Sequence, residues 1–236
     1  SASRYIEARL TPLAKETLFN TELTEYAESY DGRNREPVVL PCKLPLSLLF
    51  GAEGIAVGMS TRILPHNINE IIDAQIAFLQ NKSFKLRPDF LSGGLLDASE
   101  YEDGNGKVRV RAKIEITDDK LLTVRELPFG VTTESLIQSI QDAVNKGKFK
   151  LSSIDNFTAE TVEIELKAAR GMDAEKLLKL LYAFTQCEVS ISVNMLLIQD
   201  NQPVQLNTSE VLKRNTLRLK DLLKQELMLS LQQTKQ

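Results

Sequence analysis

The chain has 236 residues, 42% of them hydrophobic and 26% charged, with a formal net charge of −3 and one histidine. That is the size of one large domain or two small ones, with the composition of an ordinary globular protein. No run of about 20 apolar residues suggests a membrane-spanning helix, and no basic-then-apolar leader stands at the N-terminus. The acidic balance argues against a uniformly basic nucleic-acid binder, although a local cationic face on an acidic scaffold serves the same end. Cys42 and Cys187 lie far apart in unrelated contexts and read as reduced, buried thiols rather than a disulfide or a metal pair.

In chain order, the first feature is Ser3-Arg4-Tyr5. A phenol loses its proton only near pH ~10, but an adjacent guanidinium lowers that cost and can hold a phosphate through paired hydrogen bonds. Thr11-Pro12 is a helix start, with Thr as N-cap and Pro at the first helical position. Tyr5 therefore falls just before a helix, and Arg4, Arg9, Lys15, Lys43 and Arg62 concentrate cations in the first quarter. Residues 31–37, Asp-Gly-Arg-Asn-Arg-Glu-Pro, form a polar turn and a module boundary. Gly51, Gly54 and Gly58 lack the Gly-Lys-Ser/Thr ending of a phosphate loop and serve tight turns and close packing instead.

Residues 67–79 have helical spacing, with Ile68, Ile71, Ile72, Gln75, Ile76 and Leu79 on one face. Residues 107–116 alternate as one half-buried strand, and Asp118-Asp119 turns it into a second strand at 121–126. A helix spans 133–146 and stops at Gly147, and 161–167 is again a strand. Asp173 caps a helix to about residue 185, and Val189, Ile191 and Val193 begin a last strand. The fold class is α+β, a mixed sheet with helices packed on it. Asn207 and Glu210 form a capping box, and Leu212, Leu219, Leu222, Leu223, Glu226 and Leu227 then mark a long amphipathic helix.

Arg4-Tyr5-Ile6-Glu7, the stretch from Gly54 to Thr61, and Ile63-Leu64-Pro65-His66-Asn67 occur here in that order. Pro88-Asp89-Phe90, Gly104-Asn105-Gly106-Lys107-Val108, Arg125-Glu126-Leu127-Pro128 and Val193-Asn194-Met195 follow them. Together these motifs resemble the breakage-reunion A subunit of bacterial type IIA DNA topoisomerases, the family of the gyrase and topoisomerase IV A subunits. Leu64, where the family usually has Pro, is a small departure. The Ile63-Leu64-Pro65 motif and the Leu-rich residues 40–45 look more like the topoisomerase IV branch than gyrase.

The resemblance implies that Tyr5 attacks a DNA phosphodiester and stays joined to the new 5′ end, with Arg4 binding the phosphate. It makes Ile63 a wedge between base pairs and Arg62, His66, Asn67 and Lys43 its DNA-binding neighbours. For His66, support of its loop is the competing reading, and no nearby Cys/His cluster makes it a metal ligand. Residues 1–39 become the end of a winged-helix module, 40–205 a tower domain and 206–236 the start of a coiled-coil arm. Mg²⁺ and ATP belong to a partner B subunit, and the A subunit forms a homodimer on duplex DNA. Most of the winged-helix module and the metal and ATP sites lie outside these residues, so the chain alone is expected to be inert. The parent enzyme is expected to be cytoplasmic and chromosome-associated. A non-catalytic DNA-bending or dimer-scaffold protein of the same fold is the alternative, and it would need neither Tyr5 nor Arg4.

Overall fold

Helices begin where the sequence supplies a side chain to accept the first free amides. The computed structural model describes residues 2–235. A single 3-10 turn, Ser3–Tyr5, precedes α1 (Pro12–Leu18), and the hydroxyl of Thr11 accepts the Ala14 amide at 3.1 Å. Strands β1 (Glu25–Glu28) and β2 (Arg35–Val39) follow as a hairpin. The polar stretch at 31–37, expected as a module boundary, is thus the turn and return strand of that hairpin. Next come α2 (Leu46–Phe50), a second hairpin of β3 (Ala52–Ala56) and β4 (Met59–Ile63), and α3 (Ile68–Leu79), capped by Asn67.

The chain then forms β5 (Leu95–Asp97), a 3-10 turn Glu102–Gly104, β6 (Lys107–Arg111), β7 (Lys113–Asp118) and β8 (Leu121–Glu126). Helix α4 (Thr133–Asn145), β9 (Leu151–Asn156), β10 (Ile164–Ala168) and α5 (Ala174–Phe184) continue it. Last are β11 (Glu188–Ser192), β12 (Leu196–Gln199), β13 (Gln202–Gln205) and α6 (Thr208–Lys235). The expected caps are all present. The Asp173 carboxylate accepts the Lys176 amide at 2.7 Å, and Asn207 and Glu210 each accept the other's backbone amide, at 2.7 and 3.0 Å.

The fold is α+β, but the expected mixed sheet is instead several small sheets whose strands all pair antiparallel. The single strand expected over 107–116 is two. β6 joins β5 and β11, whereas β7 joins β8, β10 and β9. The break is at Ala112, fully buried, whose amide donates to the Cys187 carbonyl (2.7 Å) and whose carbonyl accepts the Tyr182 hydroxyl (3.0 Å). Alternation alone cannot reveal such a handover, because both strands keep the same parity of buried positions across it.

Three cores result. Helices α4 and α5 cover the four-stranded sheet, burying Leu122, Val124, Leu136, Ile140, Ile164, Leu166, Leu177 and Leu181. A second core joins α2, β4, α3 and the first turns of α6 through Leu48, Ile63, Ile71, Met195 and Leu212. Between them Leu64, Phe90, Tyr101, Val110 and Ile191 form the third. Only part of the expected apolar face of α3 is buried. Ile71 and Gln75 are, but Ile68, Ile72, Ile76 and Leu79 remain 37–55% exposed. Of the two cysteines only Cys187 is buried, and both are free thiols.

Candidate functional site

The Arg4–Tyr5 pair stands on a turn closed by two backbone hydrogen bonds, Tyr5 to Ala2 (3.0 Å) and Ile6 to Ser3 (3.1 Å). The phenol is 75% exposed, and the Arg4 guanidinium sits over its ring, 5.1 Å from the centroid. A cation over the ring face is attracted by its quadrupole, so the guanidinium is held next to the hydroxyl-bearing ring. An accessible oxygen with a neighbouring phosphate-binding cation is the arrangement that attack on a phosphodiester needs.

The other candidates cluster on β4 and its exit. Strands β3 and β4 pair with Glu53 opposite Arg62, Ile55 opposite Ser60 and Ala52 opposite Ile63, and Val57-Gly58 make the turn. Gly58 has φ +72°, the left-handed conformation such a turn demands. Gly51, also at φ +72°, lets the backbone pass where a Cβ would lie 2.6 Å from the Ile63 carbonyl oxygen. Asn194 fastens the hairpin from outside. Its backbone exchanges hydrogen bonds with Arg62 (2.8 and 3.1 Å), and its side-chain amide donates to the Ser60 carbonyl at 2.7 Å.

Cross-strand partners share a face, so Ile55, Ser60, Glu53 and Arg62 lie on one side and Ile63, Thr61 and Met59 on the other. Ile63 is 5% exposed and packed in the second core. The expectation of a wedge at Ile63 thus meets a buried side chain, one that could reach a base step only by leaving its core. Ile55 is 89% exposed and Val57 fully so.

His66 is buried as well. Its amide and Nδ1 both donate to the Leu48 carbonyl, at 2.8 and 3.1 Å, and Nε2 accepts the Tyr101 hydroxyl at 3.1 Å. Burial holds the imidazole below its ordinary pKa, against smaller opposing effects of the Leu48 and Leu64 backbone, so its resting form is neutral. Asn67 caps α3 through Oδ1 and donates from Nδ2 to Asp89 at 2.9 Å. Arg62 is half exposed and lies 3.6 Å from its cross-strand neighbour Glu53.

Lys43 belongs elsewhere. Its Nζ is 2.9 Å from Glu226 on α6, and that carboxylate also accepts from Asn20 at 3.2 Å. The Lys43 ammonium, then Asn20, hold Glu226 below the usual carboxylate range. Geometry therefore leaves Arg4, Tyr5 and Arg62 accessible, and turns His66, Ile63 and Lys43 toward the protein's own interior or helix α6.

Sequence reasoning overlooked Ile55 and Asn194 as parts of the site. Ile55 could have been found by placing a two-residue turn at Val57-Gly58, since that register alone puts residues 55 and 63 on opposite faces. Among the described residues no three His, Cys, Asp or Glu side chains gather as metal ligands.

The family model for the A subunit of DNA gyrase/topoisomerase IV matches residues 1–236. The topoisomerase 4 A subunit of Borreliella burgdorferi is 53% identical over 227 residues, 96% of this chain and 36% of that protein. The gyrase A subunit of Leptospira biflexa is 33% identical and that of Mycobacterium bovis 35%, each over 90% of this chain and 28% of the relative. The chain spans about a third of the length of the curated relatives it matches. With a family model matched end to end on a chain that carries Arg4-Tyr5 and the Gly54–Thr61 motif in order, this protein belongs to the family of DNA gyrase and topoisomerase IV A subunits.

Proposed function

We propose that this chain is the part of a type IIA topoisomerase A subunit that carries the nucleophile and the DNA-bending hairpin. The whole enzyme would cleave and religate duplex DNA to pass a second duplex through the break. The observation that carries the reading is Tyr5 itself, 75% exposed beside the Arg4 guanidinium in a chain matched throughout by the family. In the step, Tyr5 Oη forms a bond to phosphorus and the bond from phosphorus to the 3′ oxygen breaks. The phenolic proton leaves to a base and the departing 3′ oxygen takes up a proton. Attack by that 3′ hydroxyl on the phosphotyrosyl ester reverses the step, so religation needs no external energy. Arg4 steadies the phosphate charge.

The apolar side chain presented to DNA is Ile55, with Arg62 on the same face of the hairpin. An inserted aliphatic group unstacks a base step at a cost of a few kcal/mol, offset by contacts to the bent duplex. The B subunit supplies Mg²⁺ and ATP in this reading, the A subunit works as a homodimer, and the enzyme acts on the chromosome in the cytoplasm. Residues 40–205 correspond to a tower and α6 to the start of an arm. The identity of 53% to a topoisomerase 4 protein, against 33–35% to gyrase proteins, favours the topoisomerase IV branch.

Tyr5→Phe in the full-length protein, assembled with its B subunit, tests the assignment. Covalent protein–DNA complex trapped with denaturant should vanish while DNA binding persists. Undiminished complex would rule Tyr5 out as nucleophile and assign the chemistry to another residue, whereas no covalent complex from the parent protein either would favour the scaffold reading.

A further inference from the structure

A buried polar chain starts at His66, just past the exit of the hairpin. Tyr101, 4% exposed, sends its hydroxyl between His66 Nε2 (3.1 Å) and Thr208 Oγ1 (2.8 Å). His66 continues the chain to the Leu48 carbonyl, and Thr208, fully buried, is the first residue of α6. Since Leu48 accepts, His66 Nδ1 carries the proton and Nε2 accepts from Tyr101, whose oxygen is left to accept from Thr208, a hydroxyl that also lies 3.3 Å from the Met195 sulfur as a second acceptor. One hydroxyl thus joins the exit of the hairpin to the start of the arm helix, segments more than 140 residues apart in sequence.

The backbone makes room for this contact. Gly104 has φ +100°, and a Cβ there would lie 2.6 Å from Thr208 Oγ1 and 2.4 Å from the Met195 sulfur. Asn105, the next residue, donates to the Leu206 carbonyl at 2.8 Å and accepts the Met195 amide at 3.3 Å, fixing the same approach from the other side. A buried polar chain is useful only when every member is satisfied, and it then specifies one arrangement of the elements it joins.

We propose that Tyr101 is a positioning residue that sets the β3–β4 hairpin against the N-terminus of α6 through His66 and Thr208. The importance of that position for DNA rests on the hairpin being the DNA-bending element, but the positioning itself can be tested without DNA. Three variants separate hydrogen bonding from packing. Tyr101→Phe removes the bridging hydroxyl, Thr208→Val removes the second hydroxyl while keeping the side chain's shape, and Thr208→Ser keeps that hydroxyl and loses a methyl group.

Hydrogen exchange on the 236-residue chain should show the Arg62 and His66 amides losing protection by about tenfold or more in Tyr101→Phe and Thr208→Val. Amides of Val124 and Leu166 in the four-stranded sheet should keep theirs, the double variant should be no worse than either single one, and Thr208→Ser should resemble the parent. Unchanged protection in Tyr101→Phe, or protection lost in Thr208→Ser and kept in Thr208→Val, would overturn the proposal. In the assembled enzyme Tyr101→Phe should reduce DNA bending. A loosened hairpin with normal bending would leave the positioning intact and sink the hairpin's assignment to DNA.

Discussion

The four-stranded sheet and the β3–β4 hairpin are built from similar residues and finish in opposite ways. The sheet buries its apolar side chains beneath α4 and α5, and two cations on its surface are paired. Arg125 reaches Glu115 and Glu163 at 3.1 and 3.0 Å, and Lys113 reaches Glu126 at 3.1 Å. The hairpin buries only Ile63, at its base, where Asn194 fastens Arg62 and Ser60, and leaves Ile55 and Val57 exposed toward its tip. A region satisfied by its own chain has little left to offer a ligand. Exposed aliphatic side chains on a short, anchored hairpin are left available to a partner. The two faces of the hairpin therefore differ in what they do: one holds the fold, and in the proposed function the other meets DNA.

The sharpest way to break that comparison is Ile63→Ala. As a core residue it should lower unfolding free energy by about 2–5 kcal/mol, measurable by urea titration, and Leu122→Ala in the sheet should fall in the same range. A loss below about 0.5 kcal/mol would mean that Ile63 is not core and would restore it as the wedge.

His66 gives a smaller effect with a defined sign. Its pKa in the fold is lowered from 6.5, so the unfolded chain takes up the proton first. Stability from neutral burial is present above about pH 6.5 and is lost as pH falls toward the folded pKa. The difference in unfolding free energy between about pH 7 and about pH 5.5 should therefore shrink in His66→Gln. An unchanged difference would mean that His66 titrates alike in both states.

Ile55→Ala should leave stability within about 0.5 kcal/mol of the parent, yet reduce DNA bending by the assembled enzyme. Normal bending would separate exposure from function on this hairpin. Smallest of all is Arg125→Met. Its partners Glu115 and Glu163 are half and about a third exposed at their side chains, and pairs of that kind contribute little once solvent screens them. The unfolding midpoint should not move measurably; a clear drop would show that the surface charges of the sheet act as a network.

The amino-acid sequence by itself determined the helix starts at Thr11, Asn67, Asp173 and Asn207, because a cap is a contact between neighbours and needs no partner from afar. It determined the β7–β8 hairpin and the α+β class for the same reason, and its ordered motifs carried the family resemblance. Tertiary structure alone decided which strand joins which sheet, and hence the break at Ala112. Periodicity reports which side of a strand is buried but not what buries it. The same limit applies to the hairpin: Ile55 and Ile63 are both apolar on one short segment, and only the register across Val57-Gly58 turns Ile63 inward and Ile55 out. The resemblance made Lys43 and His66 parts of a DNA surface, with support of its loop as the other reading of His66. Their partners, Glu226 and Tyr101, lie 183 and 35 residues away in sequence, and only the folded chain brings them close enough to claim those side chains.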